Sequence, residues 1–251
     1  MTVADVGHGQ CVVLRLPSGS VMVYDAGSLT PVRARAAAEL LWHGRSRRIQ
    51  ALVISHRDCD HCSFVPYLVR RFDVEKLLIP PRAEPEPLPE GMERALRTGE
   101  AERILLLEDG RLNAEGLSCR ALHPNDRFVL EGGRDANDRS LVLLCEYRGW
   151  RILLTGDVRT AAMRRLVADR GADLKADVLV LPHHGLWAPG LEEFVEMVQP
   201  AAALASWDGP VSEKTAEALR GLRVPLWTTH RDGAIVVSVT QEELTLAGYR
   251  S

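Results

Sequence analysis

Short apolar segments of strand length recur along the whole chain, and their order restricts the fold more than any other property. In the first half several such segments follow one another, separated by glycine and proline turns. After Asp157, segments with helical spacing alternate with short apolar segments. The two halves resemble each other coarsely. We therefore predict an α/β fold in which two mixed β-sheets pack face to face with helices outside, an αββα four-layer sandwich.

The same pattern sets the bounds of the predicted elements. Arg148-Gly149 predicts a hairpin turn, and the five prolines from Pro80 to Pro89 predict a surface loop within a single domain, residues 1–251. The predicted helices are residues 31–43, 64–72, 159–169, 191–198 and 213–222. The predicted strands are residues 2–6, 11–16, 20–24, 51–54, 76–79, 103–107, 117–122, 140–147, 150–155, 178–181, 201–206, 225–228, 234–239 and 243–247.

Composition and charge exclude several classes of protein. Of the 251 residues, 46% are hydrophobic and 26% charged, an ordinary globular balance. The net charge of -3 argues against a protein that coats nucleic acid, although five arginines between residues 33 and 48 leave a local basic patch open. No stretch approaches the roughly 20 apolar residues of a membrane helix, and no signal segment begins the chain. We expect a soluble domain, which a longer protein could contain.

Four potential metal ligands fall within residues 55–61, directly after the strand predicted at residues 51–54. Side chains this dense repel one another, or leave buried polar groups unsatisfied, unless a cation gathers them. Imidazole and carboxylate donors together suit Zn²⁺, Mn²⁺ or Fe²⁺ better than Ca²⁺. The four potential ligands are His56, Asp58, Asp60 and His61.

Two later segments end in further ligands. Gly156-Asp157 follows one apolar strand, and His183-His184-Gly185 follows another. Open α/β sheets place their ligands at the carboxyl ends of strands, where both segments lie. Gly-Asp alone is a weak signal, but the three segments in this order predict one shared metal site.

These motifs resemble the metallo-β-lactamase superfamily. The opening residues 5–10, the segment 24–27 and Asn137-Asp138-Arg139-Ser140 sharpen the resemblance, which runs from Val3 to about Val239. Within the superfamily, the set is similar to the C-terminal hydrolase domain of ComEC-type competence proteins, which take up DNA. The resemblance implies the αββα fold and a metal-dependent hydrolase.

The resemblance also implies two divalent metal ions, Mn²⁺ or Zn²⁺, as cofactors. His56 and Asp58 would bind one ion, with His183 as a further candidate ligand. Asp60 and His61 would bind the second ion. Asp157 would bridge the two. The implied metal ligands are thus His56, Asp58, Asp60, His61, Asp157 and His183.

Other matching residues are implied to act on the substrate or to support the ligands. His184 would face a substrate phosphate or donate a proton. Asp5 and Asp25 would orient ligands from behind, and His8 would either lie at the site or cap a turn. The implied catalytic residues are Asp60, Asp157 and His184, and the implied substrate-binding residues are Asn137, Ser140 and His230.

The predicted activity is metal-dependent hydrolysis of phosphodiesters, as a DNase that degrades one strand during DNA uptake. DNA would be the partner, and by resemblance the domain would lie at the outer face of the cytoplasmic membrane, attached to a channel. A small-substrate hydrolase on the same fold is disfavoured by Asp58, since lactam and thioester hydrolases carry histidine there. A non-catalytic DNA-binding or gating domain stays open because Gln10, Cys62 and Leu186 depart from the family pattern.

Overall fold

Two mixed β-sheets pack face to face, with helices on their outer faces. The computed structural model describes residues 1–30, 33, 38–42, 44, 46–81, 101–125, 128–129 and 135–250. In this part of the chain, no helix is both long enough and apolar enough to cross a membrane. The predicted four-layer αββα sandwich is confirmed.

The first sheet combines the N-terminal strands with the C-terminal hairpin. Its described strands are β1 (Thr2–Val3), β2 (Cys11–Arg15), β3 (Val21–Ala26), β4 (Arg48–Val53), β5 (Asp73–Val74), β6 (Lys76–Ile79), β7 (Glu102–Leu105), β15 (Ala234–Val239) and β16 (Leu244–Tyr249). They run in the order β16-β15-β1-β2-β3-β4-β6-β7, with β5 also paired to β4. Pairing is antiparallel from β16 to β3 and parallel from β3 to β7.

The second sheet is formed by the middle and later parts of the chain. Its described strands are β8 (Arg111–Ala114), β9 (Leu117–His123), β10 (Val142–Tyr147), β11 (Trp150–Leu154), β12 (Val178–Val180), β13 (Ala202–Ala205) and β14 (Leu226–Thr228). They run in the order β14-β13-β12-β11-β10-β9-β8. The strands from β11 to β14 are parallel, so their carboxyl ends meet at one edge.

Helices cover both outer faces of the sandwich. The helices whose bounds are described are α1 (Cys59–Cys62), α2 (Val65–Arg71), α3 (Thr160–Arg170), α4 (Leu191–Val198), α5 (Glu213–Gly221) and α6 (Thr229–Asp232). In α4 the buried residues Leu191, Phe194, Val195 and Val198 follow helical spacing and therefore form one apolar face against the second sheet.

The strands are apolar on both faces because each sheet is covered on both sides. In β2, Val12 and Leu14 join the core between the sheets, whereas Cys11 and Val13 join the core beneath the helices of the first sheet. One buried hydrogen bond crosses between the sheets: the Tyr24 hydroxyl donates to the carbonyl oxygen of Leu141 at 2.6 Å. Alternation along each strand thus fixes which residues lie between the sheets.

The observed bounds match many of the predicted ones. Residues 76–79, 191–198 and 234–239 have the predicted bounds, and the hairpin at Arg148-Gly149 is confirmed by the pairing of its flanking residues. Strand β8 was not predicted, because only one of its four residues is buried and it lacks an apolar pattern. Most of the predicted helix 31–43 and most of the loop 80–89 lie outside the described residues.

Candidate metal centre

Polar side chains from both sheets meet where several strands end. In the first sheet, Asp25 lies near the end of β3, and residues 55–61 follow β4. In the second sheet, Asp157 follows β11, and His183 and His184 follow β12. Because the sheets pack face to face with these ends at one edge, ligands distant in sequence converge there.

Four of these side chains form what we call the inner cluster: Asp60, His61, Asp157 and His184. One ligand atom from each lies within 4.8 Å of the others. The Nε2 atom of His61 lies 3.1 Å from an oxygen of Asp157 and 3.2 Å from Nε2 of His184. His184 Nε2 also lies 3.4 Å from an oxygen of Asp60. Two imidazole nitrogens thus face two carboxylates across a space that suits one cation.

Hydrogen bonds behind the rings aim both Nε2 atoms at the centre of the inner cluster. Nδ1 of His61 lies 2.8 Å from the carboxylate of Asp25, and Nδ1 of His184 lies 2.9 Å from the carbonyl oxygen of Ser206. Because both partners are acceptors, each Nδ1 carries the proton. The lone pair of a neutral ring is then on Nε2, the atom that faces the centre.

Asp25 is the principal anchor of the first half of the site. It is fully buried and accepts hydrogen bonds from the Ser55 amide at 2.7 Å, the Ser55 hydroxyl at 2.8 Å and the Gln10 side chain at 3.0 Å. The Ser55 hydroxyl also lies 3.0 Å from Nδ1 of His56. With its proton donated to Asp25, Ser55 accepts from His56, and the lone pair of His56 is on Nε2 as well. The predicted supporting role of Asp25 agrees with these contacts.

The charges of the inner cluster compensate one another. Burial is the largest influence on the pKa of Asp157 and raises it, but His61 and His184 outweigh burial and hold this pKa well below its usual range. Burial likewise lowers the pKa of His61, yet Asp157 and Asp25 raise it well above the usual value. The carboxylate is therefore ionised, and without a cation a proton on His61 neutralises it. A divalent ion would displace that proton.

Two glycines, one before β2 and one after β3, allow the backbone there to pack closely against the segment that carries Asp60 and His61. A Cβ at Gly27 would lie 2.3 Å from the backbone of Asp60 and His61, and a Cβ at Gly9 would lie 2.7 Å from the Asp60 carbonyl oxygen. No side chain fits at such distances. The Gln10 amide consequently reaches the Asp60 carbonyl oxygen at 2.9 Å, which fixes the position of the inner cluster from behind.

The remaining predicted ligands form a looser arrangement beside the inner cluster, which we call the outer group: His56, Asp58 and His183. Nε2 of His56 lies 3.5 Å from an oxygen of Asp58, whose side chain is 51% exposed. Nε2 of His183 lies 3.9 Å from Asp157 but 3.3 Å from the Arg159 guanidinium, which donates to it. The outer group therefore has its donors less well gathered than the inner cluster.

Two buried atoms of the site fit a metal ion. Nε2 of His56 and Oδ1 of Asp157 are buried, and neither has a hydrogen-bond partner among the described residues. Such atoms are rare in folded proteins because leaving them unsatisfied costs about 1–3 kcal/mol each. Both belong to ligand types preferred by Zn²⁺ and Mn²⁺, so the donor set fits divalent transition-metal ions.

Backbone strain accompanies the ligands of both halves. Asp25, His183 and His184 have φ angles of 59°, 49° and 57°, a left-handed conformation that costs a residue with a side chain about 1–3 kcal/mol. Gly156, with φ of 54°, precedes Asp157; a Cβ there would lie 2.7 Å from Ser55. Sharp turns thus aim these side chains into the site.

The predicted substrate residues fall in different places. Ser140 is buried and its hydroxyl accepts from the Asp157 amide at 3.1 Å. Asn137, with its amide oriented to satisfy both partners, donates to Asp58 and accepts from Arg159, each at 3.2 Å. His230 is exposed, and within the described residues the structure shows no contact of its ring with either metal group.

Two residues near the start differ in their relation to the site. Asp5 accepts from Arg33 at 3.0 Å and from the Gly7 amide at 3.3 Å, so these contacts support the turn at Gly7 rather than a metal ligand. His8, by contrast, lies at the site: its Nε2 is 3.6 Å from an oxygen of Asp60.

Sequence reasoning missed three residues of the site: Ser55, Ser206 and Trp207. Ser55 directly precedes the ligand segment, and Ser206 follows the end of β13, which is the available signal for both. Trp207 packs with its ring centroid 4.3 Å from that of His8 and 5.5 Å from that of His184, and no motif marked it. Ser206 and Trp207, which follow β13, form one wall of the site, and Ser55 lies on the opposite sheet after β4.

Comparison with known proteins gives one family and three curated relatives. The family description "Metallo-beta-lactamase superfamily" matches residues 4–209. The chain is 31% identical over 163 residues to ComE operon protein 3 of Bacillus subtilis, covering 64% of the chain and 20% of the relative. It is 29% identical over 206 residues to competence protein ComA of Neisseria gonorrhoeae, covering 82% and 26%. It is 24% identical over 255 residues to recombination protein 2 of Haemophilus influenzae, covering 98% and 30%.

Solved structures share the fold at low sequence identity. CmlA, a diiron β-hydroxylase from Streptomyces venezuelae, is 16% identical with a TM-score of 0.59, covering 91% of this chain and 52% of CmlA. YhfI from Bacillus subtilis, a metallo-β-lactamase-fold protein, is 11% identical with a TM-score of 0.58, covering 90% of this chain and 95% of YhfI. At these identities the likeness concerns the fold alone.

Proposed function

The chain belongs to the metallo-β-lactamase superfamily, and from this premise we propose that it hydrolyses phosphodiester bonds of DNA with the help of two divalent metal ions. The fold and the inner cluster together indicate a metal-dependent hydrolase. The observation that carries the proposal is the convergence of Asp60, His61, Asp157 and His184 from two sheets onto one point.

The relatives support DNA as the substrate. One of them is named a competence protein, and competence is the uptake of DNA. The ligand Asp58 also supports a phosphodiester, because lactam and thioester hydrolases of this fold carry histidine at that place. We propose that the chain degrades one strand of DNA during uptake.

The setting is proposed from the same relatives. The chain matches only 20%, 26% and 30% of their lengths. We propose that it acts as one part of a larger assembly that includes a membrane channel, at the outer face of the cytoplasmic membrane.

The inner cluster would hold one metal ion, and the outer group with Asp157 would hold the other. When bound, such ions supply Lewis acidity that activates water and neutralises charge on the phosphate. Among the chain's own residues, Asp25 and Ser206 hold the rings of His61 and His184 in the required tautomer.

Residues around the ligands would position the substrate. Asn137 donates to the Asp58 carboxylate and accepts from the Arg159 guanidinium, so it links these two side chains. Ser140 fixes the turn that carries Asp157 by accepting from its amide. Trp207 packs against both His8 and His184 and so forms an aromatic wall of the site. His230 would act from the nearby α6 helix, on a substrate long enough to reach it.

The test is cleavage of end-labelled single- and double-stranded DNA by the purified chain, with Mn²⁺ or Zn²⁺ and with a chelator. We expect cleavage that requires metal, is lost in Asp157→Asn, and persists in Asp169→Asn. The control removes one carboxylate from an exposed position of α3.

Three outcomes would contradict the proposal. Bound metal without cleavage of any phosphodiester would indicate a binding or gating domain. Faster hydrolysis of a lactam or thioester than of DNA would indicate a small-substrate hydrolase. Cleavage that survives Asp157→Asn would indicate a contaminating nuclease.

A further inference from the structure

A small cavity adjoins the outer group and is lined by an arginine with one buried, unpartnered nitrogen. The cavity has a volume of about 50 Å³ and is lined by residues 56–58, by Pro80 and Pro81, and by Arg139. Its Arg57 has a buried Nη1 nitrogen that finds no hydrogen-bond partner among the described residues. Arginine remains charged at any physiological pH, so this group requires an anion.

The acid next to Arg57 in the chain is engaged elsewhere. The Asp58 carboxylate lies 3.5 Å from Nε2 of His56 and accepts from the Asn137 amide at 3.2 Å. As a proposed metal ligand, Asp58 would also have its charge compensated by the ion. The positive charge of Arg57, which lines the cavity, is therefore not compensated by Asp58.

The size of the cavity restricts the anion. A single water needs about 10–15 Å³ measured in this way, so about 50 Å³ accommodates a group of a few heavy atoms. A phosphate group has this size, whereas a whole nucleotide does not fit. The planar guanidinium also matches two phosphate oxygens, which makes arginine a preferred phosphate ligand.

The position of the cavity relates it to the metal centre. His56 lines the cavity, and its ring centroid lies 4.2 Å from that of His61 in the inner cluster. A phosphate held in the cavity would thus lie beside a proposed metal ligand. A strand that presents one phosphodiester to the metals would then have a neighbouring phosphate close to this cavity.

We propose that Arg57 binds a second phosphate of the nucleic acid, beside the phosphodiester that is hydrolysed. The inference rests on the proposed function and deepens it, because such a subsite selects polynucleotides over small phosphodiesters. Arg139 also lines the cavity. The phosphate could be an internal diester or the monoester at the end of a strand.

The test compares two substrates in Arg57→Gln, Arg57→Lys and the matched control Arg220→Gln, an exposed arginine of α5. One substrate is a short single-stranded oligonucleotide, and the other is bis(p-nitrophenyl) phosphate, which has no neighbouring phosphate. For Arg57→Gln we expect kcat/KM on the oligonucleotide to fall roughly tenfold to a hundredfold. Hydrolysis of the small diester should change less than about twofold, since no hydrogen bond is lost there. The kcat/KM of Arg57→Lys on the oligonucleotide should lie between those of the wild type and Arg57→Gln. Arg220→Gln should match the wild type on both substrates.

A binding measurement separates this inference from the proposed function. Anisotropy of the labelled oligonucleotide, with chelator present and at several salt concentrations, should show weaker binding by Arg57→Gln. The slope of log affinity against log salt should shrink by about 0.7, the value for one contact with a single strand. This result would support the subsite even if the wild type cleaved nothing.

Oligonucleotides with and without a 5′ or 3′ phosphate distinguish the source of the phosphate. An effect limited to phosphorylated ends assigns the subsite to a terminal monoester, and an effect on all of them assigns it to an internal diester. Equal losses on both substrates, or no change in cleavage and binding, would overturn the proposal. A lowered melting temperature of Arg57→Gln with unchanged salt slope would also overturn it.

Discussion

The inner cluster and the outer group use similar side chains but are supported differently. His61 and His184 are each fixed from behind by a buried acceptor, Asp25 or the Ser206 carbonyl oxygen. In the outer group, Asp58 is half exposed and His183 accepts a hydrogen bond from Arg159. Preorganised ligands cost less to order upon binding. For the two metal ions that we propose, the difference predicts tight binding by the inner cluster and weaker, later binding by the outer group.

The first prediction removes Asp157, the residue that we propose binds both metal ions. Asp157→Asn keeps the shape of the side chain but removes its charge, so we expect DNA cleavage to fall by about a thousandfold or more, corresponding to roughly 4 kcal/mol of transition-state stabilisation. Initial rates at saturating Mn²⁺ measure this loss. Activity within about tenfold of the wild type would mean that Asp157 does not join the two groups.

The second prediction separates the groups by metal titration. His56→Ala should weaken binding of the second ion by at least about a hundredfold. This is the largest loss expected when a residue that only supports a ligand is removed, and His56 is proposed to be a ligand itself. Binding of the first ion should change little, because His56 is outside the inner cluster. Calorimetric titration of the metal-free protein resolves the two steps. Equal weakening of both would show that the groups are not independent.

The third prediction concerns the anchor of the inner cluster. Asp25→Asn removes the carboxylate that holds Nδ1 of His61, so affinity for the first ion should fall roughly tenfold to a hundredfold. Affinity for the second ion should fall less. Competition with a chromophoric chelator measures both. An unchanged first affinity would mean that the tautomer of His61 is set by something else.

The fourth prediction, smallest in effect, concerns the anchor of the outer group. Nε2 of the buried His123 donates to the carbonyl oxygen of Asp138 at 2.7 Å, beside Asn137. Burial lowers the pKa of His123 from 6.5 to about 4. Between these values the unfolded chain binds a proton that the native state excludes, so stability falls as pH falls from 6.5 towards 4.

His123→Gln should remove this contribution to the pH dependence, about 1 kcal/mol of unfolding free energy between pH 7.5 and 5.5. Urea unfolding of wild type and variant at both pH values measures it. An identical pH dependence in the two proteins would show that His123 titrates normally in the native state.

Sequence reasoning predicted the elements better than the contacts between them. Apolar strand segments on either side of Arg148-Gly149 predicted the hairpin, and helical spacing of apolar residues predicted the helix 191–198, because both patterns are local. The density of potential ligands in residues 55–61 likewise predicted a metal site at the strand end where the inner cluster lies, and metal binding there stays a prediction. These features are properties of short segments, which sequence periodicity reports directly.

The rest depends on contacts between distant segments. The place of His184 in the inner cluster and of His183 beside Arg159 follows from two consecutive left-handed residues, which nothing in the local pattern predicted. The support that Ser206 gives to His184 could not be predicted, because it comes from a backbone carbonyl oxygen, which every residue has. The roles implied for Asn137, Ser140 and His230 toward substrate stay predictions.

The central claim is that Asp60, His61, Asp157 and His184 enclose a metal ion. Anomalous diffraction from crystals grown with Mn²⁺ or Zn²⁺ tests it most directly. We predict the strongest anomalous peak among these four side chains and a weaker one beside His56. A metal-replete crystal with no peak between His61 and Asp157 would contradict the account.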